Sequence, residues 1–199
     1  MTDYTGQQWG SYRLVRLLGS GGFADVYLGE HIHLGTQAAL KILTTKLASE
    51  EISRFRDEAR TIMQLEHPHI VRILDFGLEN RIPFIVISYA PGGSLRQQHP
   101  RGTALALPLV INYVKQIASA LQHAHEQKLI HRDVKPDNML IGRNRELLLS
   151  DFGIVAIAHS TRTLSTQDAS GTIYYMAPEQ SLGKPRPASD QYALGGCRL

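Results

Sequence analysis

The sequence predicts an α+β fold in two lobes: a β-rich first lobe carrying one helix, and a helical second lobe that is incomplete. Three observations predict it. Short apolar runs with strand-like patterning crowd the chain before Ala90. Pro91-Gly92-Gly93-Ser94 then breaks the pattern and forms a natural hinge. A long amphipathic pattern opens at Pro108.

Each element follows from local chemistry. Tyr12–Leu18 and Val26–Glu30 flank a glycine cluster and read as a hairpin, with Gln37–Leu43 a third strand. A helix follows, with Ser49 as its N-cap and Glu50 and Glu51 in the first turn, where the helix dipole favours acid. Val71–Leu74 and Phe84–Tyr89 read as further strands, the second almost wholly apolar and therefore buried. In the second lobe Val110, Val114, Ile117, Leu121 and Ala124 form one stripe at helical spacing, so the helix packs on a core. Met139–Ile141 and Leu147–Leu149, joined by a polar turn, suggest a second hairpin, and His159–Gly171 reads as a polar loop. The predicted organisation is a lead over 1–11, a first lobe over 12–90 and a partial second lobe over 91–199.

Composition narrows the class of function. The chain has 199 residues, 43% hydrophobic and 20% charged, an ordinary globular balance. Its net charge of +3 is dispersed, so no basic stripe for nucleic acid is expected. Cys197 is the only cysteine, which excludes an internal disulfide framework. Met1–Gly10 lacks the apolar core of a signal peptide, and no apolar run reaches the about 20 residues that span a bilayer. The expected location is cytoplasmic, with no membrane segment.

Gly19-Ser20-Gly21-Gly22 lies between two predicted strands, where glycines let backbone N–H groups approach phosphate oxygens closely; a plain glycine-rich turn is the equal alternative. Lys41 ends the run Ala39-Leu40-Lys41. Glu58 shares a helical face with Phe55, Ile62 and Leu65, where a lone carboxylate is costly, so pairing with Lys41 accounts for both charges. His131-Arg132-Asp133-Val134-Lys135-Pro136-Asp137-Asn138 precedes the second hairpin, and Asp151-Phe152-Gly153 follows it. An earlier copy, Asp75-Phe76-Gly77, reads as a strand-end turn. Gly171-Thr172 and Ala177-Pro178-Glu179 come last. The histidine pairs His31/His33, His67/His69 and His123/His125 lack cysteine or clustered acid, so zinc is not expected.

Taken in this order, the motifs resemble those of eukaryotic-type serine/threonine protein kinase catalytic domains, in a form similar to bacterial members, over residues 10–195. The resemblance implies transfer of the γ-phosphoryl of Mg-ATP (or Mn-ATP) to serine or threonine of protein substrates. It implies Asp133 as the group that receives the hydroxyl proton, Lys135 as neutraliser of the transferred phosphoryl, and Asn138 and Asp151 as metal ligands. It places nucleotide contacts at Leu18, Gly19, Ser20, Gly21, Gly22, Phe23, Val26, Ala39, Lys41, Glu58 and Leu140, and at the backbone of Ser88 and Ala90, with Ile87 as gatekeeper. Arg132 implies control by phosphorylation at Thr163, Ser165 or Thr166, with one copy of a homodimer phosphorylating the other.

The departures are Ala24 at the position of a third glycine, Ser88 in place of a common acidic residue, and the end of the chain. The stretch from Ala188 resembles the start of the buried central helix of such domains. The expected consequence is an exposed face on the helix after Pro108 and a Glu179 lacking its usual arginine. Two other functions compete. One is a truncated, catalytically impaired nucleotide-binding fragment or scaffold. The other is a kinase-like enzyme for small molecules, against which Gly171-Thr172 and Ala177–Glu179 argue.

Overall fold

The computed structural model describes residues 3–22, 24–44, 47–152 and 173–197, with the side chains of Ser49, Arg54, Glu58 and Ile173 outside that description. The chain divides into two compact units, Met1–Gln64 with Arg72–Tyr89, and Leu65–Val71 with Ala90–Leu199. Among the described residues no helix is long and apolar enough to cross a membrane.

The first unit is an antiparallel sheet in the order β1-β2-β3-β4-β6-β5. Its strands are β1 (Gln8–Trp9), β2 (Tyr12–Ser20), β3 (Ala24–His31), β4 (Gln37–Leu43), β5 (Ile73–Glu79) and β6 (Ile82–Ser88), with helix α1 (Ser49–Met63) between β4 and β5. Alternation along β4 sends Ala38, Leu40 and Ile42 to one face, where they pack with Trp9, Tyr12, Leu14, Tyr27, Phe84 and Val86. Ala39, Lys41 and Leu43 therefore project from the other face. Asn80 and Arg81, both at positive φ, join β5 to β6 in a two-residue turn whose twist suits the flanking strands.

Three expectations change. Trp9, placed in the lead, is 2% exposed and pairs with Tyr12, so the lead belongs to the sheet. Ser49 is the first helical residue; Ala48 is the N-cap, its N–H donating to Glu51 Oε2 at 2.6 Å. Asp75–Gly77 is no strand-end turn but lies within β5, opposite Val86, Ile85 and Phe84. Gly77 is needed there because a Cβ would stand 2.5 Å from the Phe84 ring.

The second unit holds α2 (Leu95–Gln98), α3 (Leu107–Glu126), the hairpin β7 (Met139–Ile141) and β8 (Leu147–Leu149), α4 (Pro178–Ser181) and α5 (Pro187–Gly196). Leu65–Val71 groups here because Leu149 exchanges backbone bonds with it: Val71 N–H to Leu149 O at 2.9 Å, Leu149 N–H to His69 O at 2.8 Å. The buried stripe of α3 is Tyr113, Ile117, Ala120, Leu121 and Ala124. Val114, read as core, is 37% exposed, since the face toward β8 and α5 is turned toward Tyr113 and Ala120.

Two outcomes follow from this packing. Gly92 lies against Ile141, where a Cβ would come within 2.7 Å of the Ile141 side chain and 2.8 Å of its carbonyl oxygen. Gly92→Ala is expected to destabilise the protein by about 1–3 kcal/mol in chemical denaturation. Cys197 is buried, which pushes its thiol up to about 12 despite the opposing charge of Arg96. Its alkylation at neutral pH is expected to be about 100-fold slower than that of a free thiol, and to become rapid in denaturant.

Candidate active site

Residues His131–Asn138 follow α3 through a turn at Lys128, whose φ is 61°. His131 is 1% exposed and holds the segment from inside. Its Nε2 donates to Ser150 O at 2.7 Å, its Nδ1 accepts the Asp133 N–H at 3.2 Å, and its ring meets Phe152 edge-on at 4.6 Å. Because a carbonyl can only accept, the proton sits on Nε2 and Nδ1 is free to fix Asp133.

Asp133 Oδ2 accepts Lys135 Nζ at 2.8 Å and Asn138 Nδ2 at 2.9 Å. Asn138 Nδ2 also donates to Asp133 O at 2.8 Å, so the amide's orientation is fixed. The other carboxylate oxygen, Oδ1, is buried and accepts from no described group. Such an oxygen is costly unless a ligand supplies the donor.

The carbonyl of Asn138 accepts both the N–H and the hydroxyl of Ser150, at 2.9 and 3.0 Å. This ties Asn138 to the residue directly before Asp151. Asp151 and Arg132 are both non-glycine residues in the left-handed region, each with φ of 68°. Backbone strain of this kind, of order 1–3 kcal/mol per residue, persists where surrounding bonds over-determine it.

For Arg132 those bonds come from a residue the sequence reading missed. Asp190 in α5 is 1% exposed and accepts the Arg132 N–H on Oδ1 at 2.8 Å. Its Oδ2 accepts the His131 N–H at 2.9 Å and His125 Nε2 at 2.7 Å. The signal was present in the sequence, an acid in a helix start preceded by the small residues Ala188 and Ser189, but its partners lie 58 to 65 positions away. Nearby, Glu179 is not left without a partner. Ser189 Oγ donates to its Oε1 at 2.5 Å, and that bond foremost holds the carboxyl below its ordinary pKa. Its stabilising contribution is present above the unfolded pKa and is lost as pH falls through the folded one.

The remaining histidines have structural partners. His67 Nε2 bonds Ser119 Oγ at 3.0 Å and its ring stacks on His123 at 5.3 Å, while His69 Nδ1 bonds Leu147 O at 3.0 Å.

In the first unit, β2 ends at Ser20 and β3 begins at Ala24, with Gly21 N–H donating to Ala24 O at 3.0 Å. Ser20 Oγ donates to the buried Asp25 carboxylate at 2.5 Å, joining the strands at the base of the turn. Among the described residues a Cβ on Gly19 would meet nothing within 4 Å. Val26 pairs with Lys41 and Leu28 with Ala39, which puts Val26, Ala39 and Lys41 on one face. Lys41 is half-buried. Leu18 lies in β2, and Ile87 is 9% exposed in β6. The Ser88 N–H donates to Arg72 O at 2.9 Å. In the second unit, Ala90 O accepts the Gly93 N–H at 3.3 Å, and Leu140 lies in β7, bridged to Ser94.

Glu58 lies in α1 between Phe55 and Ile62, but its side chain, and with it the pairing with Lys41, is outside the described residues. So are Phe23, Gly153, Gly171, Thr172 and the phosphorylation candidates Thr163, Ser165 and Thr166.

Comparison with known proteins is consistent throughout. The family described as protein kinase domain matches residues 12–197. Over 189 residues the chain is 40% identical to the serine/threonine-protein kinase PrkC of Bacillus subtilis, covering 94% of this chain and 29% of that protein. It is 39% identical to PknA of Mycobacterium tuberculosis over 194 residues, covering 94% of this chain and 45% of PknA. The chain thus spans less than half the length of these relatives. The crystal structure of the M. tuberculosis PknI kinase domain superposes with a TM-score of 0.76 at 31% identity, covering 97% of this chain and 74% of that one.

Proposed function

Since the chain belongs to the protein kinase family, we propose that it transfers the γ-phosphoryl of ATP to serine and threonine hydroxyls of protein substrates. The observation that carries this reading is the buried Asp133 Oδ1, which accepts from no described group beside an Oδ2 held by Lys135 and Asn138. A carboxylate anchored through one oxygen is pre-organised to receive a hydroxyl on the other.

In this mechanism the substrate hydroxyl donates to Oδ1, which aims its oxygen at the γ-phosphorus. As that O–P bond forms, the bond from the γ-phosphorus to the β,γ-bridging oxygen breaks and ADP departs with that oxygen. The hydroxyl proton passes to Asp133. Lys135, held at 2.8 Å from Oδ2, balances the negative charge of the transferring group. In the first unit the glycine turn and Lys41 would bind phosphate, and Val26 and Ala39, on the same face as Lys41, would contact the adenine.

The donor set fits a magnesium or manganese ion. Asp151 offers carboxylate oxygens, and Asn138, whose Nδ2 is committed to Asp133, offers its amide oxygen. Asp151 and Asn138 would hold such an ion, and it would supply positive charge against the phosphate groups of the nucleotide.

The test is incubation of the purified chain with γ-labelled ATP, magnesium and a generic basic protein, followed by phosphoamino-acid analysis. Label on serine and threonine is the expected result, including on the chain itself through phosphorylation of one copy by another. Label on a small alcohol or aminoglycoside with none on protein, or ATP binding without transfer, would sink the proposal.

A further inference from the structure

The geometry points to Arg96 as a positioning residue that holds the segment at Tyr175 in register with the turn carrying Asp137, an assignment that rests on the kinase reading above. Arg96 lies on α2, a single turn fixed from several sides. Leu95 is fully buried. Ser94 and Gln97 cap each other, with Ser94 N–H to Gln97 Oε1 at 2.9 Å and Gln97 N–H to Ser94 Oγ at 3.2 Å. Gln98 Nε2 donates to Gly92 O at 2.9 Å. The guanidinium therefore starts from a rigid base and is itself only 21% exposed.

From there it reaches two segments far apart in sequence. One terminal nitrogen donates to the Tyr175 hydroxyl at 2.8 Å, across 79 positions. Nε lies 3.9 Å from Asp137 Oδ2. Asp137 is 54% exposed, so that ion pair alone would be weak, whereas the shielded, charge-assisted bond to Tyr175 is the firmer one. A planar fork can serve both directions at once, which an ammonium cannot do with the same geometry.

The two ends matter for different reasons. Asp137 sits in the turn Pro136–Asn138, immediately after Lys135 and before the amide that orients Asp133. Tyr175 closes the turn Ile173–Tyr175, two residues ahead of the buried Ala177 that opens α4. In the kinase reading that second segment seats the peptide. Arg96 then sets the spacing between peptide and Asp133 without touching either substrate.

The test uses the full chain with Arg96→Ala, Arg96→Lys, Tyr175→Phe and the double variant R96A/Y175F. Amide hydrogen exchange is expected to rise about tenfold in 137–138 and in 173–177 together on Arg96→Ala, the loss of one charge-assisted bond. Arg96→Lys does not restore protection, Tyr175→Phe reproduces the effect at 173–177, and the double variant is no worse than Arg96→Ala. In the phosphorylation assay the peptide KM rises about tenfold, while kcat and the KM for ATP hold. Faster exchange confined to 95–98, or spread evenly over the chain, overturns the assignment, as does a parallel rise in both KM values. Wild-type protein that transfers no phosphoryl overturns the kinase reading instead, and the exchange data still decide whether Arg96 ties the two segments.

Discussion

Asp133→Asn is expected to reduce phosphoryl transfer about 1,000-fold at saturating ATP, with little change in the KM for ATP. The substitution keeps the shape of the side chain and removes its basicity. An amide oxygen can still accept the substrate hydroxyl's hydrogen bond, but it cannot take the proton as the new O–P bond forms. The change also disturbs the opposite edge of the group. Oδ2 now accepts from both Lys135 Nζ and Asn138 Nδ2. An amide can present its oxygen to those donors or to the substrate, not to both. Initial rates with labelled ATP measure the effect, and a loss of less than about tenfold would mean that Asp133 is not the proton acceptor.

The second large effect falls on a residue that need touch no substrate. Asp190→Ala removes the acceptor for two backbone N–H groups and for His125. Breaking a buried charged network by deleting one partner typically costs about 3–5 kcal/mol. For a protein of this size that lowers the thermal midpoint by about 10 °C. Activity should fall with it, because Arg132, at a φ of 68°, loses the bond that holds its strained backbone. Asp190→Asn should lie between, since one amide oxygen replaces two carboxylate oxygens. Thermal unfolding followed by circular dichroism measures both variants, and a shift under about 2 °C would show that Asp190 is not the anchor described here.

Where local chemistry dominates, the sequence is a good guide. β4 runs from Gln37 to Leu43, the bounds read for it from its apolar residues, and the hairpin of β7 and β8 has the bounds its two apolar runs predict. Asp133, Lys135 and Asn138 come together because a short turn places them, so five positions of sequence suffice to see them meet. Legibility ends where a partner is remote. Nothing near Trp9 announces that two residues can pair as a strand, because its burial depends on Phe84, whose ring lies 5.6 Å away. Asp75-Phe76-Gly77 has poor strand propensity, yet it pairs along β6 because Phe84 needs the space above Gly77. Glu179 looked stranded because the sequence does not show that Ser189 returns to it.

The pairing of Leu65–Val71 with Leu149 bears on how this protein can be dissected. The first unit is not one stretch of chain, since the polypeptide leaves it after Gln64, returns at Arg72 and leaves again after Tyr89. A fragment cut at the proline–glycine break would carry seven residues whose hydrogen-bonding partner remained on the other piece. Neither half made by that cut is a natural folding module. An expression boundary that respects the architecture must either keep both units or replace Leu65–Val71 with a short linker between α1 and β5.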